Sequence, residues 1–179
     1  MKRLPFFLLT LALFTACYTP QKGKCTIKGV ISAEDKRDSC YIFLIPQGPH
    51  EASDVDSTLI LNGAFEFTAE KEQMAIIRVT KYRRFGLQDL LVVTEPGTVD
   101  VTIAASSRCG GTPQNDSLQV WKELTEAATA QRTGAGDKAE RDAIHNAYKQ
   151  RSQQIAHNCN DESTLGKFLL SLYPDKAEK

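Results

Sequence analysis

Ser57-Thr58-Leu59-Ile60-Leu61-Asn62-Gly63-Ala64-Phe65-Glu66-Phe67-Thr68 holds two strand-like runs on either side of an Asn-Gly pair. Asn-Gly accepts positive φ at both central positions of a type I′ turn, whose twist suits a two-residue β-hairpin. Side chains alternate across a strand. Ala64, Glu66 and Thr68 are therefore expected on one face, with Phe65 and Phe67 on the core face.

Similar signals flank this hairpin. Cys25 to Ser32 is rich in β-branched residues, and Ser39 to Ile45 is almost wholly apolar, as a central strand would be. Pro46, Gly48 and Pro49 stop the second run. Met74 to Thr80, Leu87 to Thr94 and Thr98 to Ala104 are further strands, with Glu95-Pro96-Gly97 as a turn between the last two. Together these predict an antiparallel β-sandwich or partly open barrel of about seven strands.

After Ala104 the period changes. Ser106 to Gly111 reads as a loop. Asn115 or Asp116 can cap a helix carrying Leu118, Trp121, Leu124 and Ala128 at helical spacing. Gly134-Ala135-Gly136 breaks it, and Asp137 can cap a second, mostly polar helix with Ile144, Tyr148, Arg151 and Ile155. A third carries Leu165, Phe168, Leu169 and Leu172 before Pro174. The fold class is thus α+β, a β domain over 25–104 followed by a helical appendage over 105–179. The polar middle helix is expected to stand away from the sheets as part of a helical hairpin.

The N-terminus carries a different message. Lys2 and Arg3 precede an apolar stretch from Leu4 to Ala16 that is shorter than the roughly 20 residues a membrane-spanning helix needs. That is the pattern of a secretory signal peptide over 1–16. Its exit, Phe14-Thr15-Ala16-Cys17, resembles the bacterial lipobox, with Phe14 in place of the usual Leu. The resemblance implies lipid attachment at Cys17, with 17–24 as a lipidated tether. Each buried lipid methylene contributes about 0.8 kcal/mol, so several chains on one cysteine would hold the protein firmly. Tyr18 follows with no acidic cluster, which by resemblance to sorting signals implies the outer membrane, facing the periplasm.

Removing the first 16 residues, with their two basic side chains, leaves 163 carrying 20 basic and 22 acidic groups. Such a balance argues against nucleic acid, which needs a basic stripe. Export would place Cys25, Cys40, Cys109 and Cys159 in an oxidising compartment. If runs 25–32 and 39–45 form a hairpin, Cys25 and Cys40 lie roughly 20 Å apart, beyond the 7 Å or so a disulfide spans. Cys25–Cys109 with Cys40–Cys159, or Cys40–Cys109 with Cys25–Cys159, are then the candidate pairings. Four isolated thiols are the alternative. A bond closing so long a loop would contribute about 4 kcal/mol.

The order of motifs is informative. The lipobox, DSTLILNGAFEF (56–67), EPGTVDVTI (95–103), GGTPQND (110–116) and Asn158-Cys159-Asn160-Asp161-Glu162-Ser163 before an apolar helix together resemble one module. It is the domain of unknown function at the N-terminus of many Bacteroidetes lipoproteins, ahead of a thioredoxin-like domain. The resemblance covers nearly all of 25–173 and implies the fold and the envelope location. It does not imply thiol–disulfide chemistry, since no residue of this sequence matches the C-x-x-C motif of that second domain.

Catalytic patterns are few. No Gly-x-Ser-x-Gly occurs, and Gly110-Gly111 lacks the Lys-Ser/Thr of a phosphate loop. His157 and Cys159 could begin a metal site, but only His50 and His145 remain to complete it. Lys81 to Arg84 with Phe85 form a basic, aromatic connection that reads as a solvated edge or as a contact for an anionic partner. Trp121, in register with Leu118 and Leu124, reads as core. The expectation is a non-enzymatic, cofactor-free binding or scaffold module that meets the membrane through its lipid and an unidentified envelope protein. The alternative is a redox accessory acting through a cysteine pair with a thioredoxin-like partner.

Overall fold

The computed structural model describes residues 23–32, 39–79 and 88–175. Cys17, with the expected signal peptide and most of the expected tether, and the connection Lys81 to Phe85 lie outside the described residues. Eight strands, β1 (Cys25–Ile31), β2 (Tyr41–Pro46), β3 (Asp56–Leu59), β4 (Ala64–Ala69), β5 (Met74–Val79), β6 (Leu90–Val93), β7 (Gly97–Ile103) and β8 (Arg108–Gly110), precede three helices. These are α1 (Pro113–Gly134), α2 (Lys138–Asn158) and α3 (Thr164–Leu172). None of the helices is long and apolar enough to cross a membrane among the described residues.

The strands form two four-stranded sheets, ordered β4-β1-β7-β8 and β3-β2-β5-β6. This is the expected sandwich, with three differences. First, β8 forms where a loop is expected. Its three residues, Arg-Cys-Gly, are too few to show alternation. Second, β1 and β7 pair in parallel, from Cys25↔Gly97 to Ile31↔Ile103, while the other five pairings are antiparallel. Third, β1 and β2 are not a hairpin. They belong to different sheets, and β1 pairs instead with β4 and β7.

The Asn-Gly turn forms as expected. Asn62 and Gly63 have φ of 55° and 74°, and Leu61 and Ala64 exchange hydrogen bonds of 2.9 and 3.0 Å. The hairpin then splits after this single rung. β3 joins β2, and β4 joins β1. The turn is thus a corner between the sheets, with Ile60 fully buried on its inner side. The Ile60 N–H donates to the Cys40 carbonyl (2.9 Å), and the Gly63 carbonyl accepts from the Ile31 N–H (2.7 Å).

The inward faces supply the core: Ile27, Phe65, Phe67, Val99 and Ile103 from one sheet, Ile42, Ile77, Leu90 and Val92 from the other. Phe65 and Phe67 meet edge-on with centroids 5.9 Å apart. Gly29 stands opposite Phe65, and the Phe65 ring occupies the space a side chain there would fill. A Cβ on Gly29 would lie 1.9 Å from that ring. Only glycine allows so close an approach in a strand interior.

Leu118 of α1 and Leu165 and Leu169 of α3 close the core at its remaining side. α1 packs on β8 and β6, α2 packs on α1, and α3 lies between α2 and β5. Asp137 caps α2 as expected, its carboxylate accepting the Glu140 N–H at 2.8 Å. The cap expected at Asn115 or Asp116 falls elsewhere. α1 begins at Pro113 after Thr112, and Asn115 lies inside the first turn. The strand directions put the start of β1, Pro46, Gly97 and the start of α1 at one end of the sandwich. Ile31, Tyr41, the Asn62–Gly63 turn and Arg108 lie at the other. Past its 2.6 Å ion pair from Glu123 to Arg108, α1 runs on to Gly134, about 16 Å further. The α1–α2 hairpin therefore projects from the end opposite the start of β1.

Gly29→Ala is expected to destabilise the fold by about 1–3 kcal/mol through overpacking. Phe65→Leu should recover part of that loss in the double mutant but cost stability alone, a sign reversal readable from urea unfolding midpoints.

Candidate functional site

The sandwich has two sheet edges at its open side, β6 and β8, and polar side chains of α1 cover both. Asn115 is fully buried. Its Oδ1 accepts the Val93 N–H (2.9 Å), and its Nδ2 donates to the Val93 carbonyl (2.8 Å) and to Thr112 Oγ1 (2.8 Å). A carboxamide thus replaces the missing neighbour strand of β6. Gln119 Oε1 accepts the Cys109 N–H of β8 (3.2 Å), and Asp116 Oδ1 accepts the Gly111 N–H (2.9 Å).

Glu95, two residues past the end of β6, holds the start of the helix. Its buried Oε1 accepts the N–H groups of Gln114 (2.7 Å) and Asn115 (3.1 Å). Thr112 makes no side-chain cap, so a carboxylate from the sheet does that work, where the helix dipole favours negative charge. Gln114 Oε1 then accepts the Leu165 N–H (2.9 Å), fastening α3. No buried side-chain N or O among the described residues lacks a partner. This polar joint is saturated by structural bonds. Its members escaped the sequence reading because Glu95 looks like turn chemistry and Asn115 like a cap.

The four candidate disulfide cysteines are free thiols, joined in neither expected pairing. The register explains why. Cys109 pairs with Val101, which pairs with Gly29, four residues from Cys25. Two strand spacings and four residue rises separate Cys25 from Cys109 by about 16 Å, far beyond disulfide reach. Leu91, whose carbonyl is 3.8 Å from Cys109 Sγ, stands about 19 Å from Cys40 by the same counting across β2, β5 and β6. Cys159 closes α2, its N–H bonded to the carbonyls of Ile155 and Ala156.

Burial pushes the Cys25 thiol up to about 11, with the Glu95 charge adding to the shift. Burial likewise pushes Cys109 up to about 12. Lys122 works against that rise and Asp116 adds to it. At neutral pH both are protonated, whereas thiol exchange requires the thiolate.

The histidines are dispersed. His50 contacts the Gly48 carbonyl in a loop (2.7 Å), His145 is exposed on α2, and His157 meets Asp161 (2.7 Å). No group of three or more metal-ligating side chains converges among the described residues. Trp121 is an interhelical core residue, as its spacing implied. Its Nε1 donates to Ser152 Oγ (3.1 Å), and its ring meets Phe168 edge-on at 6.1 Å.

The outer face of the β4-β1-β7-β8 sheet is different in kind. It forms a shallow concavity of about 460 Å³. Register sets its side chains in rows. Glu66, Lys28 and Asp100 stand side by side on β4, β1 and β7. Ala64, Val30, Thr102 and Arg108 form the next row toward the far end. Val30 is 50% exposed. Charges of both signs beside an apolar strip suit a polypeptide surface better than a small polar molecule, which needs deeper enclosure.

Asn115→Ala should destabilise the protein by about 2–4 kcal/mol, because it orphans both Val93 backbone groups. Denaturant unfolding would measure it. In the native protein at neutral pH, Cys25 and Cys109 should resist iodoacetamide. After unfolding without reductant, Cys25, Cys40, Cys109 and Cys159 should all alkylate. Mass spectrometry reads both results, and rapid native labelling of Cys25 or Cys109 would contradict the assignment.

No curated protein and no solved structure matches the chain. A family of unknown function does match. It covers 25–118, all eight strands together with the α1 turn that carries Glu95's partners, and ends within the first turns of α1. With more than half of the sequence inside that match, the chain belongs to the family described as Domain of unknown function (DUF4369).

Proposed function

We propose that this protein is a lipid-anchored, non-catalytic binding module of the bacterial cell envelope, held at the outer membrane through Cys17 and facing the periplasm. The observation that carries the binding role is the uncovered, mixed-charge outer face built on Lys28, Glu66 and Asp100. The helices pack along the β8 edge of this sheet and on β6 and β5, so Lys28, Val30, Glu66 and Asp100 stay exposed among the described residues. The strand directions favour the anchoring geometry. The tether leads into the start of β1, while Val30, Thr102, Arg108 and the projecting hairpin lie toward the opposite end. A membrane at the tether would leave those features facing the periplasm. The partner is an envelope protein, and the near-neutral composition disfavours nucleic acid.

A redox accessory role fits less well. It needs a low-pKa thiol within reach of a second one. The two most buried thiols are pushed up to about 11 and 12, and the register keeps them far apart.

Metabolic labelling with an alkyne palmitate in a bacterial host tests the anchor. The wild type should carry label and sediment with membranes, whereas Cys17→Ser should carry none and appear in the soluble periplasm. Unlabelled wild type, or labelled Cys17→Ser, contradicts it. For the face, a photo-crosslinker at Thr102 should trap an envelope protein in intact cells, and Lys28→Glu with Asp100→Lys should abolish the adduct at unchanged protein level.

A further inference from the structure

After α3 the chain turns back over α2. Gln153 Nε2 donates to the carbonyls of Tyr173 (3.2 Å) and Pro174 (2.9 Å). The Tyr148 and Tyr173 hydroxyls are 3.1 Å apart, and their rings meet edge-on at 5.4 Å. Residues 173–175 thus form a strap across one face of α2. Tyr148 also lines a groove of about 430 Å³ between α1 and α2, with Leu124, Ala128 and Ile144. The strap therefore sits at one end of that groove.

The last hold on the strap is ionic. His157, in the final turn of α2, has Nδ1 2.7 Å from Asp161 Oδ1 and Nε2 3.4 Å from Asp175 Oδ1. Asp161 lies in the α2–α3 turn and Asp175 ends the strap. A neutral imidazole has one N–H and can donate to one carboxylate only. The imidazolium has two and can serve both. The shorter contact to Asp161 would keep the single proton on Nδ1. The Nε2 lone pair would then face the Asp175 carboxylate, and that arm is lost.

We propose that protonation of His157 latches residues 173–175 onto α2, and that loss of the proton frees them and uncovers the Tyr148 end of the groove.

The surroundings agree. The carboxylates facing the ring are Asp161 and Asp175. Nearby Glu162 is paired with Lys167 of α3 at 2.9 Å. The hydrogen bond to Asp161, with the charges of Asp161 and Asp175, raises the His157 pKa above its ordinary value. Tyr173 is pushed up to about 12 by burial and the Tyr148 hydroxyl, so its phenol stays neutral where His157 titrates. Because the folded value is raised, the latch is complete below the ordinary histidine range and fades as pH rises through the raised value.

Hydrogen exchange of the full chain, corrected for intrinsic rates and followed over roughly pH 6 to 9, reads the strap through the peptide after Leu170. The wild type should open several-fold more often across the rise. Asp175→Asn, which keeps the side-chain shape, should exchange fast with no such step, and Asp161→Asn should move the step to lower pH. A flat wild-type profile, or an Asp175→Asn profile that keeps the wild-type step, overturns the latch. So does an NMR titration that places His157 at or below the ordinary histidine value.

Discussion

The fold depends on how two sheet edges are closed. A sandwich of two four-stranded sheets leaves unpaired backbone groups at its open side, and a buried unpaired N–H or C=O is costly. Here one amide side chain, Asn115, takes both groups of Val93, while Gln119 and Asp116 take N–H groups on or beside β8. Glu95 in turn satisfies the first amides of the helix that carries them. Sheet and helix complete each other, so neither end of the joint is well formed alone. That reciprocity explains why the family match runs past the last strand to Leu118. The first turns of α1 belong to the β domain, although their pattern is helical.

The same closure shapes the chemistry. It buries Cys25 beside Glu95 and Cys109 against the carbonyls of Leu91 and Asn115, and burial keeps both thiols protonated. Cysteines that would be reactive on a surface act here as small core residues. Among the described residues, a charged, threonine-bearing sheet face and a two-helix projection remain accessible.

The hairpin was legible because its signal is local. Asn62-Gly63 needs nothing beyond its own φ preferences, and Phe65 and Phe67 alternate on one side. Where its two strands go next was not legible. β3 and β4 separate into different sheets because the right-handed twist and the pairings to β2 and β1 draw them apart, and those partners lie far away in sequence. The same cause misled the expected β1–β2 hairpin. Close in sequence, these strands are parted by a crossover between sheets. β8 was missed because three residues cannot display a period of two. Glu95 and Asn115 were visible as residue types suited to turns and caps. Their role as each other's cover appears only when residues 20 apart are brought together.

The sequence by itself determined seven of the eight strands, the three helices, the core faces of the hairpin and of α1 and α3, and the Asp137 cap. These follow from local periodicity, turn stereochemistry and short motifs. The tertiary structure alone decided the parallel β1–β7 pairing, the separation that leaves four cysteines as free thiols, the covering of β6 by Asn115 and the meeting of His157 with Asp175. Each is a long-range contact, set by which surfaces bury one another rather than by what neighbouring residues prefer.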